Sequence, residues 1–126
     1  MKKIITTSKA PAPIGPYNQA VLNGNMLFIS GQIAFNNATQ AFEMSNITEE
    51  TDLVMQNLKA ILSEAGFTFE NVVKTSIFIK NMNDFGAINE AYGAYFKSET
   101  APARETVEVA RLPKDVNVEI SMIAML

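Results

Sequence analysis

Three short segments that are apolar at consecutive positions constrain the fold of this chain more than any other feature. They span residues 27–29, 77–79 and 120–126, and Ser121 is the only polar residue among them. Successive side chains of a β-strand point to opposite sides of its sheet, so such segments are typical of strands that are covered on both faces. The fold must therefore place something apolar against each side of a sheet.

Two segments have the periodicity of amphipathic helices. In residues 48–65, apolar side chains recur at helical spacing, Asn46 or Thr48 can cap the N-terminus, and Gly66 follows as a natural stop. A second helix is predicted after Asp84 as its N-cap. Its apolar stripe consists of Phe85, Ile88, Tyr92, Tyr95 and Phe96.

The remaining pattern predicts strands and one polar connection. β-Branched, alternating or continuously apolar sequence predicts strands at residues 3–6, 26–29, 72–79, 104–111 and 116–125. Residues 36–46 are polar and predict a loop or an irregular hairpin. This order predicts a single domain over residues 1–126, of the α+β class, with both helices on one face of one sheet.

Two helices on one face leave the other face of the sheet uncovered. An exposed apolar sheet face usually marks an interface, so we expect a homo-oligomer. The alternative is a closed single-chain barrel, for which the predicted strands are few.

Composition excludes several classes of site and partner. The chain has neither cysteine nor histidine, which excludes thiolate chemistry, His-dependent catalytic triads and zinc sites with nitrogen or sulfur ligands. The net charge is -3 and no basic run exceeds Lys2-Lys3, so nucleic acid is not the expected partner. No apolar run is long enough to span a membrane, and the start lacks the apolar core of a signal peptide. We expect a cytoplasmic protein.

Both arginines of the chain, Arg104 and Arg111, lie within residues 102–113. On a strand, Arg104 shares a face with Thr106, whereas Glu105 and Arg111 lie on the opposite face. Arg111 precedes Leu112-Pro113 and is predicted to be a surface charge at the strand end.

Glu119 is the only charged residue between positions 116 and 125. If 104–111 and 116–125 pair as neighbours, Arg104 and Glu119 face one site. There the guanidinium would clamp a carboxylate and the glutamate would act as general base for water. The alternative, which the pattern alone favours, is a partly buried salt bridge between two strands.

Four further residues have both a structural and a functional interpretation. Tyr17 ends a proline-rich segment and is either a packing anchor or a site residue. Ser30-Gly31 offers a hydroxyl and approachable backbone amides, or a simple turn. Asn89 lies beside the stripe of the second helix, where most residues are plain helix surface.

Motifs distributed over nearly the whole chain resemble those of the RidA/YjgF/YER057c/UK114 family. They are IGPYNQA (14–20), ISGQI (29–33), NDFGAINEAY (83–92), PAR (102–104), VEVARLPKD (107–115) and VEI (118–120). The resemblance implies a chorismate-mutase-like mixed sheet backed by two helices, assembled as a homotrimer with clefts between subunits. It also implies a hydrolase, a 2-iminobutanoate/2-iminopropanoate deaminase that needs neither metal nor cofactor. Its substrates would be 2-aminoacrylate and 2-aminocrotonate, and its products 2-oxo acids and ammonia.

The resemblance also implies roles for single residues. Arg104 corresponds to the clamp for the substrate carboxylate, Glu119 to the glutamate that holds or activates water, and Tyr17 to a catalytic loop tyrosine. Ser30, Gly31 and Asn89 correspond to residues that line the pocket.

The sequence departs from the family pattern at Thr106, where many members have cysteine, and at Glu105. We expect Thr106 to contact substrate beside Arg104 and Glu105 to point away from it. The alternative function is a non-catalytic module that binds 2-oxo acids or regulates another protein, including the translation-inhibitor or ribonuclease role claimed for family members.

Overall fold

A computed structural model describes all residues from Met1 to Leu126. Its strands are β1 (Lys2–Ile5), β2 (Ala20–Asn23), β3 (Met26–Gln32), β4 (Phe35–Asn36), β5 (Ala41–Phe42), β6 (Val72–Ile79), β7 (Ala103–Glu108) and β8 (Val118–Met125). Its helices are α1 (Ile47–Glu64) and α2 (Phe85–Gly93). Six strands form one sheet in the order β1-β2-β3-β8-β6-β7, and β4 and β5 form a small hairpin of their own. The mixed α+β class is confirmed.

Local sequence explains where the helices begin and end. Asn46 accepts a hydrogen bond from the Glu49 backbone N–H at 2.8 Å, so it is the N-cap of α1. Asp84 was predicted to cap α2, but its side chain makes no capping bond. The predicted apolar stripe also extends beyond α2, because Tyr95 and Phe96 lie after the last residue of the helix. Neither helix has the length and apolar character needed to span a membrane.

Both helices pack on the same face of the sheet, as predicted. On this helix-covered face, alternate residues of the strands are almost completely buried, including Leu27, Thr75, Ile77, Ile120 and Met122. Together with the inner sides of α1 and α2, the apolar ones among them form one core cluster.

The opposite, open face carries the intervening residues, including Phe28, Phe78, Val107 and Ile123. Phe28 is 42% exposed and Val107 is 40% exposed. Polar side chains occupy its middle, where Ser76 lies in register with both Glu105 and Ser121. The expectation that the helices leave one sheet face uncovered is therefore confirmed for the single chain.

The predicted pairing of 104–111 with 116–125 is wrong, because β6 lies between β7 and β8. β6, α2 and β7 form a β-α-β crossover, and β7 is accordingly parallel to β6. β8 pairs antiparallel with both β6 and β3. β7 and β8 are also shorter than predicted, since β7 ends at Glu108 and β8 begins at Val118, whereas β3 is longer than predicted and extends to Gln32.

Candidate active site

Arg104 is held on the helix-covered face, at the edge of the sheet. It lies in register with the buried Thr75 of β6, and its Nη1 donates to Asn89 Oδ1 of α2 at 2.8 Å. The guanidinium carbon lies 5.2 Å from the centroid of the Tyr92 ring and 5.8 Å from that of Phe85. Two aromatic faces and one amide therefore orient a cation whose remaining N–H donors make no hydrogen bond within the chain.

Tyr92 is the fixed wall of this arrangement. Its hydroxyl donates to Thr75 Oγ1 at 3.0 Å. Burial raises the pKa of the Tyr92 phenol, and the hydrogen bond to Thr75 and the nearby Arg104 charge offset this only in part. Tyr92 is therefore a neutral, immobile ring against which the guanidinium packs.

The two residues that follow Arg104 behave as strand alternation predicts. Thr106 shares the Arg104 face, and its hydroxyl is buried without a hydrogen-bond partner. Glu105 lies on the open face, where it accepts from Ser76 Oγ and pairs with Lys74 Nζ at 2.9 Å. The hydrogen bond from Ser76, followed by that from Lys74, lowers the pKa of Glu105. Glu105 is thus ionised and occupied elsewhere, so it does not block Arg104. We call Arg104, Asn89, Thr106, Phe85 and Tyr92 the Arg104 half-site.

Glu119 lies on the open face of β8, in register with Phe78. Its carboxylate lies directly over Gly31, such that a Cβ built at position 31 would be 2.2 Å from Glu119 Oε2. Burial raises the pKa of the Glu119 carboxyl. Only glycine at position 31 permits this approach, and the resulting loss of solvent is what favours the protonated acid.

A cavity of 590 Å³ opens beside Glu119. Tyr17, Ser30 and Gly31 line it, together with the proline-rich segment that contains Ile14. The Ser30 hydroxyl donates to the Asn18 carbonyl at 2.6 Å, so its proton is already engaged within the chain. We call Glu119, Tyr17, Ser30 and Gly31 the Glu119 half-site.

The two half-sites do not meet within one chain. Arg104 is level with Thr75 and hence with Met122, three residues along β8 from Glu119. Two strand spacings and three residues of rise separate their Cα atoms by roughly 14 Å, and the side chains are on opposite faces. Neither the shared site nor the salt bridge expected between neighbouring strands forms within the chain.

Two residues that the sequence analysis missed also belong to this region. Gln19 is 2% exposed and makes four side-chain hydrogen bonds below the proline-rich segment. Lys114 lines the cavity and has a positive φ of 57°. Both residues lie within motifs quoted above, Gln19 in IGPYNQA and Lys114 in VEVARLPKD, but the motifs alone do not indicate a role for either side chain.

Each half-site offers one chemical capability. The guanidinium presents parallel N–H donors that fit a carboxylate. The carboxyl of Glu119, whose pKa is raised by burial, can in its ionised form accept a proton from water in the adjoining cavity. No group of three or more Asp or Glu side chains converges to hold a metal ion.

Comparison with known proteins places this architecture among characterised folds. The family model described as Endoribonuclease L-PSP matches residues 7–126. A RutC family protein of Synechocystis is 54% identical, covering 98% of this chain and 96% of that protein. A protein of Dermatophagoides farinae named 2-iminobutanoate/2-iminopropanoate deaminase is 46% identical, covering 99% of this chain and 97% of its own length. The crystal structure of the Escherichia coli YjgF gene product superimposes with a TM-score of 0.91 at 46% identity, covering 98% of each chain.

Proposed function

The chain belongs to the RidA/YjgF family, and on that premise we propose that it hydrolyses reactive 2-imino acids and their enamine tautomers. The expected substrates are the 2-aminoacrylate and 2-aminocrotonate pairs, and the products are 2-oxo acids and ammonia. The observation that carries the proposal is the desolvated Glu119 carboxyl over Gly31, facing a cavity. The names of the mite protein and of a mouse protein 43% identical to this chain support it.

The reaction needs only groups that the half-sites supply. Arg104 binds the carboxylate of the imino acid, and water held at Glu119 attacks the carbon of the C=N bond. Glu119 takes a proton from that water to give a tetrahedral adduct and returns it to the nitrogen. The C–N bond then breaks as the hydroxyl of the adduct gives up its proton to Glu119 and becomes the carbonyl of the 2-oxo acid, and the nitrogen leaves as ammonia. One water is consumed for each 2-oxo acid and ammonia formed. Tyr17 borders the same cavity and is the candidate for assisting the proton transfer.

The active site is proposed to form between two copies of the chain. Each copy carries an Arg104 half-site at the β7 edge and a Glu119 half-site on the open face, so a head-to-tail contact joins unlike halves. A closed ring of such contacts is a cyclic homo-oligomer, and the family resemblance implies that the ring is a trimer. The exposed Phe28 and Val107 side chains on the open face support a contact surface there.

The two arginines provide a matched test of the enzyme activity. Threonine dehydratase generates the imine, and semicarbazide traps whatever the protein does not hydrolyse. Wild-type protein should suppress semicarbazone formation, and Arg104→Ala should lose at least about 99% of that rate, since it removes the charge that orients substrate. Arg111→Ala is the control, because Arg111 is exposed and outside both half-sites. Wild type that fails to suppress the adduct, or Arg104→Ala that suppresses it equally well, would refute the proposal.

An endoribonuclease is the second candidate, favoured by the description of the matching family model. The chain has no histidine and a net charge of -3, which is unfavourable for binding a polyanion. The endoribonuclease would be the correct function if the protein cleaved single-stranded RNA, if Arg104→Ala abolished that cleavage, and if no imine were hydrolysed. Tight binding of 2-oxobutyrate without either reaction would instead indicate a non-catalytic binding module.

A further inference from the structure

We infer that Gln19 is a positioning residue, whose buried side chain fixes the loop of residues 11–18 over the Glu119 cavity. We call this segment the Tyr17 loop. The inference rests on the proposed function for its kinetic consequence, but its structural part can be tested without any activity.

The Gln19 side chain ties the start of the loop to its end. Its Oε1 accepts from the Thr7 N–H at 2.7 Å, and its Nε2 lies 3.1 Å from the Thr7 carbonyl. The same Nε2 also donates to the carbonyls of Ala10 at 3.2 Å and Pro11 at 2.9 Å. A single buried amide thus satisfies four backbone groups on the segment that leads into the loop.

The other end of the loop is anchored to β3 beside Gly31. The Ser30 N–H donates to the Gln19 carbonyl at 2.9 Å. Ser30 Oγ donates to the Asn18 carbonyl at 2.6 Å. Because Gln19 takes part in both anchors, it connects the start of the loop to the strand that carries Gly31.

Between its anchors the loop has almost no hydrogen bonds of its own. The Tyr17 N–H donates to the Gly15 carbonyl at 3.0 Å, and this is the one backbone bond formed inside it. Pro11, Pro13 and Pro16 have no N–H to donate. Ile14 is 81% exposed and Tyr17 is 52% exposed, so packing does little to hold the segment.

The loop nevertheless forms one wall of the cavity. Pro11, Ile14 and Tyr17 line it on one side, with Glu119 and Gly31 among the other lining residues. The position of the Tyr17 hydroxyl and of this wall therefore depends on the end anchors. A side chain that donates and accepts at once is required at position 19, which glutamine provides and a carboxylate or an alkyl group does not.

Limited proteolysis tests the structural part directly. Chymotrypsin cleaves after exposed aromatic residues, and Tyr17 is the only aromatic residue of the loop. Gln19→Leu should be cut after Tyr17 at least about tenfold faster than wild type, with cleavage elsewhere unchanged. Gln56→Leu makes the same chemical change on the exposed side of α1, where it removes a hydrogen bond to the Tyr95 hydroxyl, and should leave cleavage after Tyr17 as in wild type. Equal cleavage after Tyr17 in wild type and Gln19→Leu would overturn the inference.

Kinetics test whether the loop acts through Tyr17. In the imine assay, Gln19→Leu should lower kcat/KM at least about tenfold, because small misplacements of catalytic groups are costly. In a Tyr17→Ala background the same change should lower kcat/KM less than about twofold, since the Tyr17 hydroxyl that the loop positions is then absent. The inference would be overturned if the losses in kcat/KM caused by Gln19→Leu and by Tyr17→Ala multiplied in the double variant. It would also be overturned if Tyr17→Ala alone had wild-type kinetics.

A second substitution keeps the inference testable if Gln19→Leu does not fold. Gln19→Glu preserves size and the acceptor for Thr7 N–H but loses both N–H donors, and with them the contacts to three backbone carbonyls. It should therefore show the same cleavage and the same coupling to Tyr17. If wild type shows no imine hydrolysis, the proposed function fails, and the cleavage pattern still decides whether Gln19 fixes the loop.

Discussion

Glu119 is a partly buried carboxyl that lies beside a cavity. Burial over Gly31 raises its pKa above the usual 4.5, and no cation in the chain pairs with it. Ionisation is therefore harder in the folded protein than in the unfolded chain. The raised pKa of this candidate base therefore lowers the free energy of unfolding at any pH where the carboxyl is ionised.

Replacing Glu119 with glutamine should separate these two effects. Glu119→Gln is expected to lower kcat/KM by about 10²-fold or more, because the proton acceptor is lost. The same variant should melt at a higher temperature than wild type above the raised pKa, where wild type carries a desolvated charge. The difference should vanish below pH 4.5, where both side chains are neutral. Thermal melting at pH 4 and pH 8 measures this, and a less stable variant at pH 8 would contradict it.

Glu105 is a second residue whose role follows from the face on which it lies. Its carboxylate bonds Ser76 and Lys74 on the open face, away from the guanidinium of Arg104. Glu105→Gln should therefore keep the wild-type KM for the imine. A markedly lower KM in this variant, with the oligomeric state unchanged, would mean that Glu105 competes with substrate for Arg104.

At the scale of elements, one buried contact links α1 to the start of β8. Glu50 is fully buried, and its two carboxylate oxygens accept from the Asn117 backbone N–H at 2.8 Å and side-chain Nδ2 at 2.7 Å. Asn117 lies two residues before Glu119. The helix therefore fixes the entry of the strand that carries the candidate base.

Breaking this link should weaken the fold. Glu50→Gln keeps one acceptor oxygen, but its amide N–H replaces the other oxygen and faces an N–H donor of Asn117. We expect this buried mismatch to lower the free energy of unfolding by about 1–3 kcal/mol. Glu64→Gln, at an exposed position of the same helix, is the control. Urea unfolding of the two variants measures the difference, and equal stability would show that the Glu50–Asn117 contact adds nothing.

Periodicity predicted individual elements better than it predicted their arrangement. The stripe of residues 48–65 identified α1 to within a residue at each end, and residues 72–79 matched β6. Alternation also placed Arg104 and Thr106 on one face and Glu105 on the other. It cannot specify which strands are adjacent, however, since pairing is decided by distant contacts.

One sequence signal does indicate the observed pairing of β7. The strand–helix–strand order of residues 72–108 is typical of a parallel crossover, which would have placed β7 beside β6 rather than beside β8. The roles of Gln19 and Glu50 could not be predicted, because their partners are backbone groups or residues far away in the sequence.

For the whole molecule, the main consequence is that no single copy holds both halves of the candidate site. An Arg104→Ala chain still carries an intact Glu119 half-site, and a Glu119→Gln chain still carries an intact Arg104 half-site. Under the proposal that the site forms between copies, mixed assemblies of the two contain some sites in which both contributions are present.

Complementation between these inactive variants tests the assembly. Each variant alone should be inactive, and equal amounts unfolded and refolded together should recover up to about one quarter of the wild-type rate. Random assembly unites an intact arginine half with an intact glutamate half in that fraction of contacts. Mixing the folded variants without exchange is the control. No recovery in assemblies shown to contain both chains would mean that Arg104 and Glu119 do not share a site across the contact.

The close approach between Gly31 and Glu119 also limits how the gene can vary. Any residue other than glycine would place a Cβ within 2.2 Å of Glu119 Oε2. Every missense change at codon 31, however conservative it looks in an alignment, therefore displaces the candidate base. If Glu119 is the base as proposed, selection on activity acts on every nonsynonymous change at that codon.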